Sequence, residues 1–223
     1  MKKLFLAAIV LSVMISSGFA QELPSQGSKA MMVYFNSGSL ASVSFNAASQ
    51  TITNTPVGGG VGLRYWLSPN MVLVPTISFG INNMSIKGVG GASDATDNTT
   101  SFGVGAAVEW HTYVGTVSPY LLGGVGLTST SEAQKPSLAA GTPANGTPLG
   151  TDISSTPFSV FGGLGIEAFA TKGVSVGFAY TINMSFGGGK ITQKTQGNAD
   201  ATTETSTFGL NLGTTSLWLS LYF

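Results

Sequence analysis

The sequence predicts an all-β protein, an eight-stranded antiparallel up-and-down transmembrane β-barrel. Three observations carry that expectation. Segments of roughly ten residues alternate large apolar with small or polar side chains, as a strand does when one face meets lipid and the other a lumen. The connections between these segments alternate between short and long. Charge is scarce: 9 basic and 9 acidic side chains make 18 of 223 residues, or 8%, against about 25% in soluble domains. Such a chain can hardly cover a water-facing surface with charge. Its formal net charge of zero removes the basic footprint of a nucleic-acid binder. Cysteine is absent, which excludes a disulfide framework, a thiolate nucleophile and a cysteine-based metal site.

The elements follow in chain order. Lys2 and Lys3 precede an apolar run from Leu4 to Ile15, and Ser16-Ser17-Gly18-Phe19-Ala20 follows it. A positive n-region, a short apolar h-region and small residues before a cleavage point define a secretory signal peptide. The rival reading, a membrane anchor, fails because the run falls short of the ~20 residues that span a bilayer. Residues 1–20 therefore read as a cleaved signal, 21–29 as a short N-terminal segment, and 30–223 as the barrel. No cysteine follows the signal, so lipoprotein attachment is excluded. Every later apolar stretch is broken by Gly, Ser, Thr or Asn, which leaves the closed barrel as the only way to cross a membrane.

The first strand lies within residues 31–45, with its register open. In 57–67, Val57, Val61, Leu63, Tyr65 and Leu67 oppose Gly58, Gly60, Gly62, Arg64 and Trp66. Residues 71–82 place Met71, Leu73, Ile77, Phe79 and Ile81 on one face; Pro75 cannot donate to a ladder and suggests a bulge there. In 101–113, Phe102, Val104, Ala106, Val108 and Trp110 oppose a face holding Glu109, His111 and Tyr113. Residues 118–129 are less regular, with Leu121, Val125 and Leu127 outward. In 158–170, Phe158, Val160, Leu164 and Ile166 oppose Phe161, Glu167 and Phe169. Residues 174–187 alternate without a break, from Val174 to Phe186 against Ser175 to Gly187. The last strand, 207–223, switches phase between Leu212 and Leu217, so a β-bulge at Gly213 to Thr215 is needed to keep both halves on one face.

Tight turns are expected at Ser68-Pro69-Asn70, around Gly115 and at Thr171-Lys172-Gly173. Long polar loops are expected at about 47–56, 87–100, 131–156 and 188–206, and most charges fall in them. Short turns at one end and long loops at the other are the asymmetry of an outer-membrane barrel. A hairpin within 131–156 would raise the count to ten strands. Tyr65, Trp66, Trp110, Tyr113, Tyr120, Phe169, Tyr222 and Phe223 band the short-turn end, and Phe79, Phe102, Phe158, Phe186 and Phe208 the other, as interfacial aromatic girdles do. A soluble lipocalin-like barrel is the architectural rival; it would turn its apolar face inward and its charges outward.

The chain closes on Leu217-Trp218-Leu219-Ser220-Leu221-Tyr222-Phe223, with apolar residues at alternate positions before a terminal aromatic. This resembles the signal read by the barrel-assembly machinery of bacterial outer membranes, carried here by Leu217, Leu219, Leu221 and Phe223. With the signal peptide and eight strands, the chain resembles the small bacterial outer-membrane β-barrels of OmpA and OmpX type, in pattern rather than through a motif. The resemblance implies location in the bacterial cell outer membrane, with membrane lipid and the assembly machinery as partners; because the chain stops at the barrel, the peptidoglycan-binding domain of OmpA-type proteins is expected to be missing.

Within the strands only Arg64, Glu109 and Glu167 are formally charged, and His111 is the single histidine. All face inward. Arg64, Glu109 and Glu167 stand at similar distances from the short turns on strands that run the same way, so they are expected at one level of a narrow lumen. The expectation is a buried cluster in which Arg64 bridges both glutamates, with Trp66, His111, Phe169 and Tyr222 packed beneath. This favours a plugged barrel with a structural or surface-interaction role, whose loops meet an unidentified extracellular ligand. A narrow or gated pore is the runner-up, because the many lumenal glycines leave space. A lipid-modifying enzyme ranks third: His111 is followed by Thr112 and Tyr113, without the His-x-Ser arrangement of the lipid A deacylases. No catalytic residue, cofactor or metal is expected; Gly58-Gly59-Gly60 and Gly187-Gly188-Gly189-Lys190 lack the context of phosphate loops.

Overall fold

In the computed structural model, the described residues are 24–37, 44–46, 51–53, 58–86, 94–136, 138 and 145–223. The expected signal at 1–20, Val57 and Lys87 lie outside them. Among the described residues eleven strands follow one another: β1 Lys29–Ser37, β2 Ser44–Asn46, β3 Thr51–Thr53, β4 Gly58–Ser68, β5 Met71–Ile86, β6 Ala95–His111, β7 Val117–Lys135, β8 Pro148–Ser155, β9 Phe158–Thr171, β10 Val174–Thr195 and β11 Ala201–Tyr222. β2 and β3 form a separate two-stranded sheet, and the other nine form one antiparallel sheet. That sheet closes on itself, because β1 pairs with β4 on one side and with β11 on the other, at Ala30↔Tyr222 through Ser37↔Thr215.

The closed wall has eight staves, since β8 and β9 form a single one. The lower part of β7 pairs with β9 up to Leu127↔Phe158, and its upper part pairs with β8 from Thr130↔Ser155. Three residues elapse on each side, so the register is unbroken. The same holds against β10, at Phe186↔Phe158 and Gly189↔Ser155. Thr156 and Pro157 bridge the gap: Thr156 N donates to Gly188 O at 3.1 Å, and Pro157 O accepts from Thr128 N at 3.1 Å. Nine strands less this one merger give eight. Residues 131–156 therefore extend existing staves and add none.

This also corrects the expected loops. Pairing continues to Ile86↔Ala95, Thr96↔Lys135 and Gln193↔Ala201, so much of 87–100, 131–156 and 188–206 is strand. Threonine favours extended backbone, and a strand wet on both faces has no apolar alternation to reveal it. The short turns stand at Pro69-Asn70, Gly115-Thr116 and Lys172-Gly173.

The apolar residues point out. Leu63 is 55% exposed and Phe178 45%, whereas Arg64 is 1% and Trp66 0% exposed. That contrast rules out a lipocalin-like arrangement. In β11 the pairing skips Gly213, from Ile182↔Leu212 to Thr181↔Thr214, and Gly213 takes φ +121°. This bulge keeps Leu210 and Leu212 outward together with Leu217 and Leu219. No bulge occurs at Pro75: it pairs in unshifted register with Ala106, and β4 regains its own register with β5 at Tyr65↔Leu73. The missing N–H is absorbed by a local lapse in pairing to β4 rather than by an extra residue. The first strand's register is settled as Ala30, Met32 and Tyr34 inward and Met31 and Phe35 outward. Inside the lower half, Met32, Trp66, Val72, Val74, Tyr120 and Trp218 pack into an apolar core.

Candidate functional site

The lumen near the short-turn end holds the chain's concentration of buried polar groups. β4, β6 and β9 run in the same direction toward short turns and carry Arg64, Glu109 with His111, and Glu167. The intervening β7 and β10 run back and bring Ser118 and Ser175 to the same level, as in the pair Ser118↔Glu167, and β11, which runs the same way as β4, ends there with Ser220 and Tyr222. Arg64, His111, Glu167, Ser118, Ser175 and Ser220 are each at most 1% exposed, and Glu109 is 6% exposed.

Arg64 ties the group together. Its Nη2 donates to Glu109 Oε2 at 2.5 Å and to Glu167 Oε2 at 2.9 Å, and its Nη1 donates to Glu167 Oε1. Glu167 Oε1 also accepts from Ser175 Oγ and from Tyr222 Oη, the latter at 2.8 Å. The guanidinium carbon lies 4.9 Å from the Trp66 ring centroid, a cation–π contact in a dry site. His111 sits between Ser118 Oγ, 2.8 Å from Nδ1, and Glu109 Oε2, 3.0 Å from Nε2. Beneath, Trp66 Nε1 donates to Tyr113 Oη at 3.1 Å, and the Trp66 and Tyr222 rings meet at 5.3 Å. Phe169 joins this layer 5.9 Å from Tyr222. Two carboxylates and one guanidinium out of water are tolerable because both Glu167 oxygens, Glu109 Oε2 and both Arg64 Nη atoms have partners, Arg64 Nε alone of the guanidinium nitrogens having none among the described residues.

The four sequence-predicted cluster residues, Arg64, Glu109, Glu167 and His111, thus stand in one network joined through Arg64 and His111. The three serines were not anticipated: serine is too common here to single out, although each lies on an inward face near a short turn. Leu217, Leu219, Leu221 and Phe223 are elsewhere, on the outward face of β11 and its end, 53%, 42%, 42% and 79% exposed.

Ser118, His111 and Glu109 follow the nucleophile–base–orienter order of hydrolytic triads. The arrangement has no room for a substrate. Ser118 and His111 are 0% exposed and neither borders the lumenal cavity, and Glu109 is bound by Arg64. Among the described residues, no group of His, Cys, Asp or Glu is arranged to hold a metal ion.

Above the cluster the lumen opens into a cavity of about 240 Å³ with Glu109 on its floor. Four aromatic side chains would fill it were they not laid against the wall. Tyr34 faces Gly60, Tyr120 faces Gly165, Phe161 faces Gly124 and Trp218 faces Gly177, each directly across one ladder. A Cβ built on any of these glycines would clash with the partner's ring or its hydroxyl. The glycines expected to leave lumenal space do so by giving rings a place to lie. Farther out, beyond the membrane-crossing part, Lys194 on β10 meets Asp152 on β8 at 2.5 Å, and that hydrogen bond holds the ammonium above the ordinary lysine value.

The sequence matches the family described as outer membrane protein beta-barrel domain over residues 6–215. The fold is similar to that of a major outer membrane protein from Thermus thermophilus, with TM-score 0.59 at 9% identity, covering 88% of this chain and 99% of that one. Similarity extends to Ail, the attachment invasion locus protein of Yersinia pestis, with TM-score 0.48 at 13% identity, covering 89% of this chain and 99% of that one. The N-terminal β-barrel domain of Pseudomonas aeruginosa OprF follows, with TM-score 0.41 at 11% identity, covering 90% of this chain and 100% of that one. No curated protein matches the sequence.

Proposed function

The chain belongs to the outer membrane protein beta-barrel domain family, and from that premise we propose that it is a closed, non-enzymatic barrel of the bacterial outer membrane whose role is structural or surface-interacting. One observation carries the reading: the Arg64–Glu109–Glu167–His111 cluster lies almost wholly buried across the lumen. An ion threading this level would have to break Arg64 from two carboxylates at once, and breaking a buried pair is costly. The function is therefore assigned to the outer ends of the staves, which rise past the apolar band as polar hairpins and offer surface to an extracellular ligand. The sealed Ser118 supports the absence of catalysis; unaltered lipid A after overexpression is the expected result. Residues 1–20 act as the export signal, and Leu217, Leu219, Leu221 and Phe223 as the recognition strip for the barrel-assembly machinery.

Planar-bilayer recording of the refolded protein tests this. The expected result is no stable unitary current from wild type, and steady channels in wild type would contradict it. The second reading, a gated pore, draws on the cavity that already occupies the outer half of the lumen. It predicts intermittent openings in wild type that become continuous in Arg64→Ala, and silence from both proteins would end it.

A further inference from the structure

We propose that the cavity above the ion cluster is a binding site for a small uncharged molecule with an aromatic-sized apolar end and a hydrogen-bonding head. Its size sets the first limit. Protein cavities of about 150 Å³ accept benzene, and sites for drug-sized ligands begin near 300 Å³. A cavity of about 240 Å³ accepts one ring with a short polar substituent and little more.

Its walls set the second. The inner part is apolar, with Val74, Leu122, Tyr120 and Trp218, while the outer part carries Ser78, Thr128, Ser159 and Asn183. A molecule seated there puts its ring toward the floor and its head toward the outside. Two polar atoms on this wall lack a protein partner among the described residues: the donor Trp218 Nε1, on a side chain 4% exposed, and the acceptor Asn183 Oδ1. The two stand at different levels, Trp218 across from Gly177 and Asn183 six residues farther out on β10, so a hydroxyl or amide head in the outer part donates to Asn183 Oδ1.

Charge sets the third. Among the described residues Glu109 is the one carboxylate lining the cavity, and Arg64 and His111 already bind it. A charged molecule would shed its hydration here without a free counter-charge, which disfavours it strongly. The proposal stands apart from the structural role argued above, because a lumen that conducts still binds or fails to bind such a molecule.

The test is a fluorine NMR titration of para-fluorobenzyl alcohol into the refolded full chain in detergent micelles. Protein-free micelles set the baseline, and para-fluorobenzoate and para-fluorobenzylammonium serve as charged counterparts. The expected result is a saturable shift for the alcohol alone, weakened about tenfold by Thr181→Phe, whose ring occupies the cavity. Asn183→Ala, which removes the acceptor, weakens it about threefold. Heat-modifiable migration establishes that each variant is folded, and Asn183→Ala decides alone if Thr181→Phe is not. A shift no larger than in protein-free micelles, a shift that folded variants leave unchanged, or equal binding of the carboxylate overturns the proposal and leaves a vestibule filled by water.

Discussion

The guanidinium of Arg64 donates to both Glu109 and Glu167 from a side chain 1% exposed, so its loss strands two carboxylates out of water. Arg64→Ala is expected to cost about 3–5 kcal/mol in denaturant unfolding from micelles. Adding Glu109→Gln and Glu167→Gln should recover part of that loss, because the stranded charge is then gone. The glycine–aromatic pairs act at the same scale through shape. Gly177→Val drives a side chain into the Trp218 ring and is expected to cost about 1–3 kcal/mol by overpacking, with a shifted tryptophan emission as the accompanying readout. Arg64, Glu109, Glu167 and His111 were readable from sequence because charge and histidine are rare in these strands, so each stood out on its inward face. Ser118, Ser175 and Ser220 were not, since nothing in a chain rich in hydroxyls distinguishes a serine that completes a carboxylate's hydrogen bonds from one in a loop. The ring-on-glycine pairs need a cross-strand register, which period-2 patterning along one strand does not contain.

Register is also what the bulge in β11 preserves. Without the extra residue at Gly213, Phe208, Leu210 and Leu212 would face the lumen while Leu217, Leu219 and Leu221 face out, because a one-residue slip exchanges the two faces of a strand. Deleting Gly213 is therefore expected to abolish the heat-modifiable folded band on detergent gels. Migration like that of wild type would mean the bulge is dispensable. The phase switch was visible in sequence because both halves of β11 are strongly apolar on alternate positions. Pro75 misled for the opposite reason. Its missing N–H was legible, but whether a ladder answers with a bulge or with a local lapse depends on the neighbouring strand. The hairpin extensions of β5 to β8, β10 and β11 escaped notice because water wets both of their faces, so backbone pairing persists there without the apolar stripe that announces a strand.

At the scale of the molecule, the strand count was legible from turn spacing: three tight reversals and four long excursions admit eight crossings. The ten-strand alternative fails because β8 continues β9 in one register. Fold and membrane location follow from one physical inversion, in which the large apolar side chains lie outside and the few buried charges inside. Tryptophan tests that inversion directly. Trp110 is 54% exposed on the outer wall, whereas Trp66 and Trp218 are 0% and 4% exposed in the lumen. Variants retaining a single tryptophan, reconstituted in bilayers of lipids brominated along the acyl chain, report which of the three touches hydrocarbon. The account predicts strong quenching of Trp110 and little of Trp66 or Trp218; strong quenching of either lumenal tryptophan with Trp110 left bright would contradict it.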